Sequence, residues 1–335
     1  MKNLKHISIL AILFSLLFIF NSCNNEDIYE EDLTGTIVDV GNDPNDDGDD
    51  DSNGSEPGDD NPNGSDGDIT LYRVEGDNIV KVQDYKVTGQ DLVYQQDIEK
   101  HQHIWDLTKK VVPPKYRSKM SEFLIFNGEP SGTAGFVVET SSDLSKWQMA
   151  IAINYSDDEQ ELIYTIIHEF AHILTLNNDQ VNSGINESSC NNFFTGEGCS
   201  KQASYINKLY GQFWADIWGE YLKASDSETG LDNFYNKYER RFVTQYASTN
   251  PGEDIAEVFA VFVTRNGGVN GNSIAEQKIQ LMYDHPELVS LRDYIRNNLG
   301  ASRTSKGRNM LPAPGSWKHA NTFGNPKKSH CSKTK

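Results

Sequence analysis

His168, Glu169 and His172 are the residues of this chain whose types and spacing carry the clearest chemistry. They form an H-E-x-x-H run, and residues four apart lie on one face of an α-helix, so two imidazoles can be offered to one metal ion. Glu169 stands beside the first of them, where a carboxylate can hold and deprotonate a metal-bound water. That is the arrangement of a zinc hydrolase. An ordinary helix carrying two surface histidines has the same spacing, so the surrounding sequence has to distinguish the two.

It favours a buried helix. Ile163, Ile166, Ile167, Phe170, Ile173 and Leu174 recur at helical spacing and make a broad apolar surface. Ser156 predicts the N-cap, with Glu159 completing a capping box. Asp157, Asp158, Glu159 and Glu161 place negative charge at the positive end of the helix dipole. Two histidines and a glutamate inside such a helix need partners, because an unpartnered buried polar group is costly. A metal ion would supply them.

Catalytic zinc commonly takes three protein ligands and leaves a fourth position for water. A third histidine of the H-E-x-x-H-x-x-G-x-x-H kind would require glycine at 175 and histidine at 178. These positions hold Thr175 and Asn178, which excludes that class. The helical pattern Gly252–Ala260 contains the best candidates, Glu253 and Glu257, again on one face at i, i+4. A metal ligand together with an acceptor for a histidine N–H would account for both carboxylates. A solvated acidic first turn, favoured by the helix dipole, would account for them equally.

At these residues the chain resembles a gluzincin, the zinc peptidase class that pairs H-E-x-x-H with a downstream glutamate on a second helix. The stretch from Tyr246 to Phe259, which contains E-x-x-A-E, is similar to the corresponding stretch of anthrax lethal-factor-like peptidases and of zinc-binding metallopeptidase lipoproteins of Bacteroidetes. The resemblance covers Trp147 to about Phe262. It implies a zincin-like fold and one catalytic Zn2+ held by His168, His172 and Glu253. It also implies Glu169 as general base, Glu257 behind a ligand histidine, and Tyr246, seven residues before the ligand, as donor to the oxyanion.

The rest of the chain predicts an address. A short basic start, Met1–His6, precedes an apolar run from Ile7 to Phe20, too short for a membrane span and suited to a signal peptide. Ser22 before Cys23 resembles a bacterial lipoprotein signal, whose cleavage leaves Cys23 as a lipidated N-terminus. The acidic residues that follow, Glu26-Asp27 and Glu30-Glu31-Asp32, resemble the surface-export signal of Bacteroidetes lipoproteins. The expected location is the cell envelope, lipid-anchored to the outer membrane and exposed at the surface.

The formal net charge is −19, but 17 carboxylates lie between Glu26 and Asp68 with no Lys or Arg among them, which leaves −2 for everything else. The acidity is local and says little about substrate. Asn42 to Asp68 has too few apolar residues to offset its ordering entropy and predicts a disordered tether. Asp49, Asp51, Asn53 and Gly54 match the start of a calcium loop, but the glutamate needed at the twelfth position is missing.

Four segments result: a signal peptide at 1–22, the tether at 23–68, a catalytic domain at 69–300, and a basic, mobile tail at 301–335. The tail lysines read as solvated, and no nucleic-acid partner is expected. Cys190 and Cys199 are spaced to close a small disulfide loop in an oxidising compartment, while Cys331 has no evident partner.

Within the domain, strands are expected first: 69–74 and 79–85 around Gly76-Asp77-Asn78, then 122–126, 134–139 and 147–155. Helical patterns cover 91–111, the motif segment, 202–224, 231–246, 253–265 and 274–299. Strands before helices indicate α+β rather than a doubly wound fold. Trp214, Trp218, Phe213 and Tyr221 read as core, and His101 and His103 as ordinary amphipathic-helix residues. Strand 147–155 is expected to offer an edge to an extended peptide. The expected activity is zinc-dependent hydrolysis of extracellular peptides or proteins. A non-peptide zinc hydrolase and a catalytically silent surface-binding lipoprotein are the alternatives.

Overall fold

Where the acidic segment gives way to alternating apolar residues, strand β1 (Asp68–Glu75) begins, one residue before the domain boundary expected from composition. The computed structural model describes Ser65 and residues 67–300, all within one compact unit, Pro57–Lys335. The signal, Cys23, nearly all of the tether, and the tail with Cys331 lie outside the described residues.

β1 turns through Gly76, whose φ of +63° favours glycine, into β2 (Asn78–Asp84). Helices α1 (Gly89–Gln96) and α2 (Ile98–Val111) follow. The single helix expected over 91–111 is thus split at Asp97, whose side chain accepts the Lys100 N–H and caps α2. The one-turn helix α3 (Pro114–Arg117) leads into β3 (Met120–Phe126), β4 (Gly135–Glu139) and β5 (Trp147–Ala152).

The sheet order is β2-β1-β3-β5-β4. β3 and β5 run parallel, and the other neighbours pair antiparallel. β5 is therefore internal, and the strand at that edge is β4. This corrects the expectation that 147–155 forms an edge: β5 is mostly apolar and lies between β3 and β4.

Period-2 alternation divides the sheet's side chains between two layers. Phe123, Ile125, Val137, Met149 and Ile151 join the main core with the helices. Leu124, Phe126, Phe136, Ala150 and Ala152 form a smaller layer on the opposite face.

The motif helix α4 (Glu159–Leu176) packs on β4 and β5, and every residue from Glu161 to Leu176 is buried. Each large apolar side chain so placed contributes about 1.5–3 kcal/mol relative to exposure. The N-cap is Asp158, which accepts the N–H groups of Gln160 and Glu161, rather than Ser156. Ser156 instead donates to the Ile153 carbonyl, closing a 3-10 turn at 153–155 where strand was expected. At the other end the Asn177 amide donates to the Ile173 and Leu174 carbonyls.

Beyond α4 a polar loop contains a two-stranded ribbon, β6 (Val181–Asn182) and β7 (Cys199–Ser200). The 202–224 pattern resolves into α5 (Tyr205–Phe213) and α6 (Trp218–Ala224), and the 231–246 pattern into α7 (Glu228–Tyr238) followed by 3-10 turns. Then come α8 (Pro251–Thr264), α9 (Ile274–Tyr283) and α10 (Pro286–Asn298), the last two divided before Pro286.

The protein is thus α+β, with a small sheet and a mainly helical C-terminal part. Phe213, Trp214 and Tyr221 are core residues, and Trp218 is half-buried against them. Among the described residues no helix is long and apolar enough to cross a membrane.

Candidate metal centre

Packing of α8 on α4 builds the site. Asn250 starts α8 by accepting the N–H groups of Gly252 and Glu253, and Pro251 at the first helical position needs no N–H partner. At the far end Arg292 and Arg296 of α10 donate to the last carbonyls of α8, including those of Phe262, Val263 and Arg265. With both ends fixed, Glu253 and Glu257 face α4, and His168 and His172 face α8.

Three side chains meet there with no solvent exposure. His168 Nε2 lies 3.0 Å from Glu253 Oε2 and 3.1 Å from His172 Nε2. His172 Nε2 lies 3.4 Å from the same carboxylate oxygen. Ligands bound tetrahedrally at 2.0–2.1 Å stand about 3.3 Å from one another, close to these three separations. Two imidazole nitrogens and a carboxylate oxygen are also the donor types that zinc takes. A buried His168–His172–Glu253 group able to bind a metal ion is therefore present.

The second carboxylate completes His168. Its Nδ1–H donates to Glu257 Oε1 at 2.8 Å, so a neutral His168 ring keeps the Nε2 lone pair toward Glu253 and His172. Glu257 is itself held: its Oε2 accepts from Thr244 Oγ1 at 2.7 Å and from the Tyr164 hydroxyl at 3.3 Å. Burial lowers the His168 pKa, but Glu253 and Glu257 more than offset this and push it up to about 9. Burial would raise the Glu253 carboxyl, yet the charge of His172 and the bonds to both histidines hold it well below the usual carboxylate range.

Glu169 is buried on α4 beside the edge strand β4. A Cβ at Gly135, the first residue of β4, would sit 2.9 Å from Glu169 Cγ and 2.8 Å from Thr165 Cγ2. Only glycine leaves room there for this packing. Tyr246 is also brought in: its ring lies 5.7 Å from the His168 ring, centroid to centroid.

Thr244, Tyr164 and Gly135 were not anticipated from sequence. Tyr164 had a usable signal, since it precedes His168 by four residues and so shares its helix face. Thr244 and Gly135 had none, because they reach the site through loop and sheet geometry.

Away from the centre, Cys190 and Cys199 form a disulfide with a Cα–Cα distance of 5.3 Å. His103 is an exposed surface residue, whereas His101 is buried and bonded to the Tyr72 hydroxyl and the Tyr94 carbonyl, more than an amphipathic pattern implies. Cys23 lies outside the described residues.

No protein-family profile, curated protein or solved structure matches this chain.

Proposed function

We propose that the protein is a gluzincin-type zinc peptidase with a zincin-like fold. The observation that carries this reading is the convergence of His168, His172 and Glu253 at zinc-like ligand separations, with Glu169 next in sequence to the first histidine. His168, His172 and Glu253 would hold one Zn2+, which when bound supplies Lewis acidity and an activated water.

The remaining work falls to the chain's own residues. Glu169 takes the water proton and later delivers it to the leaving amine. Glu257 keeps His168 in the tautomer whose Nε2 faces the site, with Tyr164 and Thr244 holding the Glu257 carboxylate in turn. Tyr246, beside His168, donates its hydroxyl to the developing oxyanion, a contribution of about 3 kcal/mol in comparable sites.

The edge strand β4 starts at Gly135 against Glu169 and presents unpaired backbone groups to an extended peptide. That is why a peptide is favoured over a small ester or amide. The signal pattern and Cys23 support a lipid-anchored protein of the outer membrane, with the acidic segment as tether and extracellular peptides or proteins as substrates.

The test is digestion of a proteome-derived peptide library by the wild type and by Glu169→Ala, with zinc content measured on both. Cleavage by the wild type only, with zinc in both, is expected. Zinc present and the library uncut would point to a non-peptide hydrolase. Absence of both zinc and cleavage would leave a silent surface-binding protein.

A further inference from the structure

Asp254 follows Glu253 in the first turn of α8, and successive helical residues point about 100° apart. Glu253 therefore faces the histidines while Asp254 faces α9 and the segment after α5. There Asp254 Oδ2 accepts the Trp214 indole N–H at 2.6 Å and lies 2.5 Å from Lys278 Nζ. Both ends of this ion pair are wholly shut off from solvent. The ammonium also lies 4.3 Å from the centroid of the Phe242 ring and 5.8 Å from that of Trp214, distances at which an aromatic face attracts a cation.

A buried ion pair is an expensive way to hold two helices together. Desolvation costs several kcal/mol per ion, and apolar residues of similar volume commonly stabilise a fold as well or better. The pair's position shows what it adds. α8 can roll about its axis only if Asp254 leaves Lys278 and Trp214, and such a roll would carry Glu253 away from His168 and His172. Lys278 also balances the one carboxylate of this turn that faces away from the histidines.

We propose that Lys278 is a positioning residue for the metal ligand Glu253, acting through Asp254: it fixes the rotation of the first turn of α8 and thereby the third ligand. This rests on the metal-site reading above.

The test is the double variant Asp254→Asn/Lys278→Met in the full chain. The asparagine carbonyl still accepts the Trp214 N–H, and the methionine fills the lysine stem's volume with its sulfur against the rings. Zn2+ affinity is measured by chelator competition, the visible spectrum with Co2+ in place of zinc, and the melting temperature without metal. The expected result is a metal-free melting temperature at or above that of the wild type, a Zn2+ affinity lower by about tenfold or more, and an altered Co2+ spectrum.

A merely structural pair would leave affinity and spectrum unchanged in this variant, and that outcome overturns the proposal. Should the double variant not fold, Trp214→Phe removes the indole bond to Asp254 and trims the ring packing around it. A smaller loss of Zn2+ affinity is then expected, and unchanged affinity overturns the proposal. Wild-type protein that takes up no Zn2+ overturns the metal reading and this proposal together. That failure is visible before any substitution is made.

Discussion

The Nδ1–H of His168 donates to Glu257 across 2.8 Å, while the opposite ring nitrogen lies 3.0 Å from Glu253. One imidazole on α4 thus bridges two carboxylates one turn apart on α8, and in the neutral ring Glu257 decides which nitrogen keeps its lone pair. Glu257→Gln removes that carboxylate's charge while retaining an acceptor. Zn2+ affinity is expected to fall by about tenfold or more with the fold intact, measured by chelator competition alongside circular dichroism.

Gly135 predicts a second separation of effects. Gly135→Ala drives a methyl group into Glu169 Cγ and Thr165 Cγ2, so the Glu169 carboxylate shifts while His168, His172 and Glu253 remain. On the proposed peptidase reading, cleavage should drop by about 10²-fold or more, the scale of a displaced general base, at unchanged zinc stoichiometry. Full activity in this variant would show that Glu169 has room to spare.

His101 predicts a pH dependence of stability. Burial lowers its pKa from the ordinary 6.5, and the neutral ring fits its partners: Nε2–H donates to the Tyr94 carbonyl and Nδ1 accepts the Tyr72 hydroxyl. Burial and nearby Asp84 push the Tyr72 phenol up to about 12, so it remains a donor. Below pH 6.5 the unfolded chain binds a proton that the folded ring resists. This contribution is therefore complete above that pH and is lost as pH falls toward the lowered folded pKa. Melting temperature against pH should show a decline as pH falls below 6.5 that is shallower in His101→Gln.

The disulfide predicts a change in stability that leaves the metal group alone. Cys190 and Cys199 are nine residues apart, and closing a loop of that length contributes about 2–3 kcal/mol through the unfolded chain. The Cys190→Ser/Cys199→Ser variant should lose stability on that scale in urea melts. Its zinc stoichiometry should be unchanged, because neither cysteine belongs to the His168–His172–Glu253 group.

Much of the centre was legible in the chain, for a local reason. H-E-x-x-H and the Glu253/Glu257 pair are both i, i+4 patterns, so helix periodicity alone aligns each pair on one face. The apolar surroundings of α4 and the Asn250-Pro251 start of α8 mark both helices as well-defined and buried. Element types followed from periodicity in the same way, which is why α+β was recoverable.

What escaped involves residues brought together by the path of the chain. Strand 147–155 was expected to be an edge because its neighbours could not be read from its own residues; the β3–β5 pairing buries it and exposes β4 instead. Ser156 and Asp158 are both good caps, and the 3-10 turn at 153–155 engages the first and leaves the second to start the helix. That α8 docks on α4 so that Glu253, 81 residues beyond His172, reaches both imidazoles is a property of packing. So are the Thr244 and Tyr164 bonds to Glu257 and the Lys278–Asp254 pair behind the ligand. Local spacing sets which side chains share a helix face. Which faces meet depends on how the apolar surfaces of separate elements are buried together, and that information is spread over the whole core.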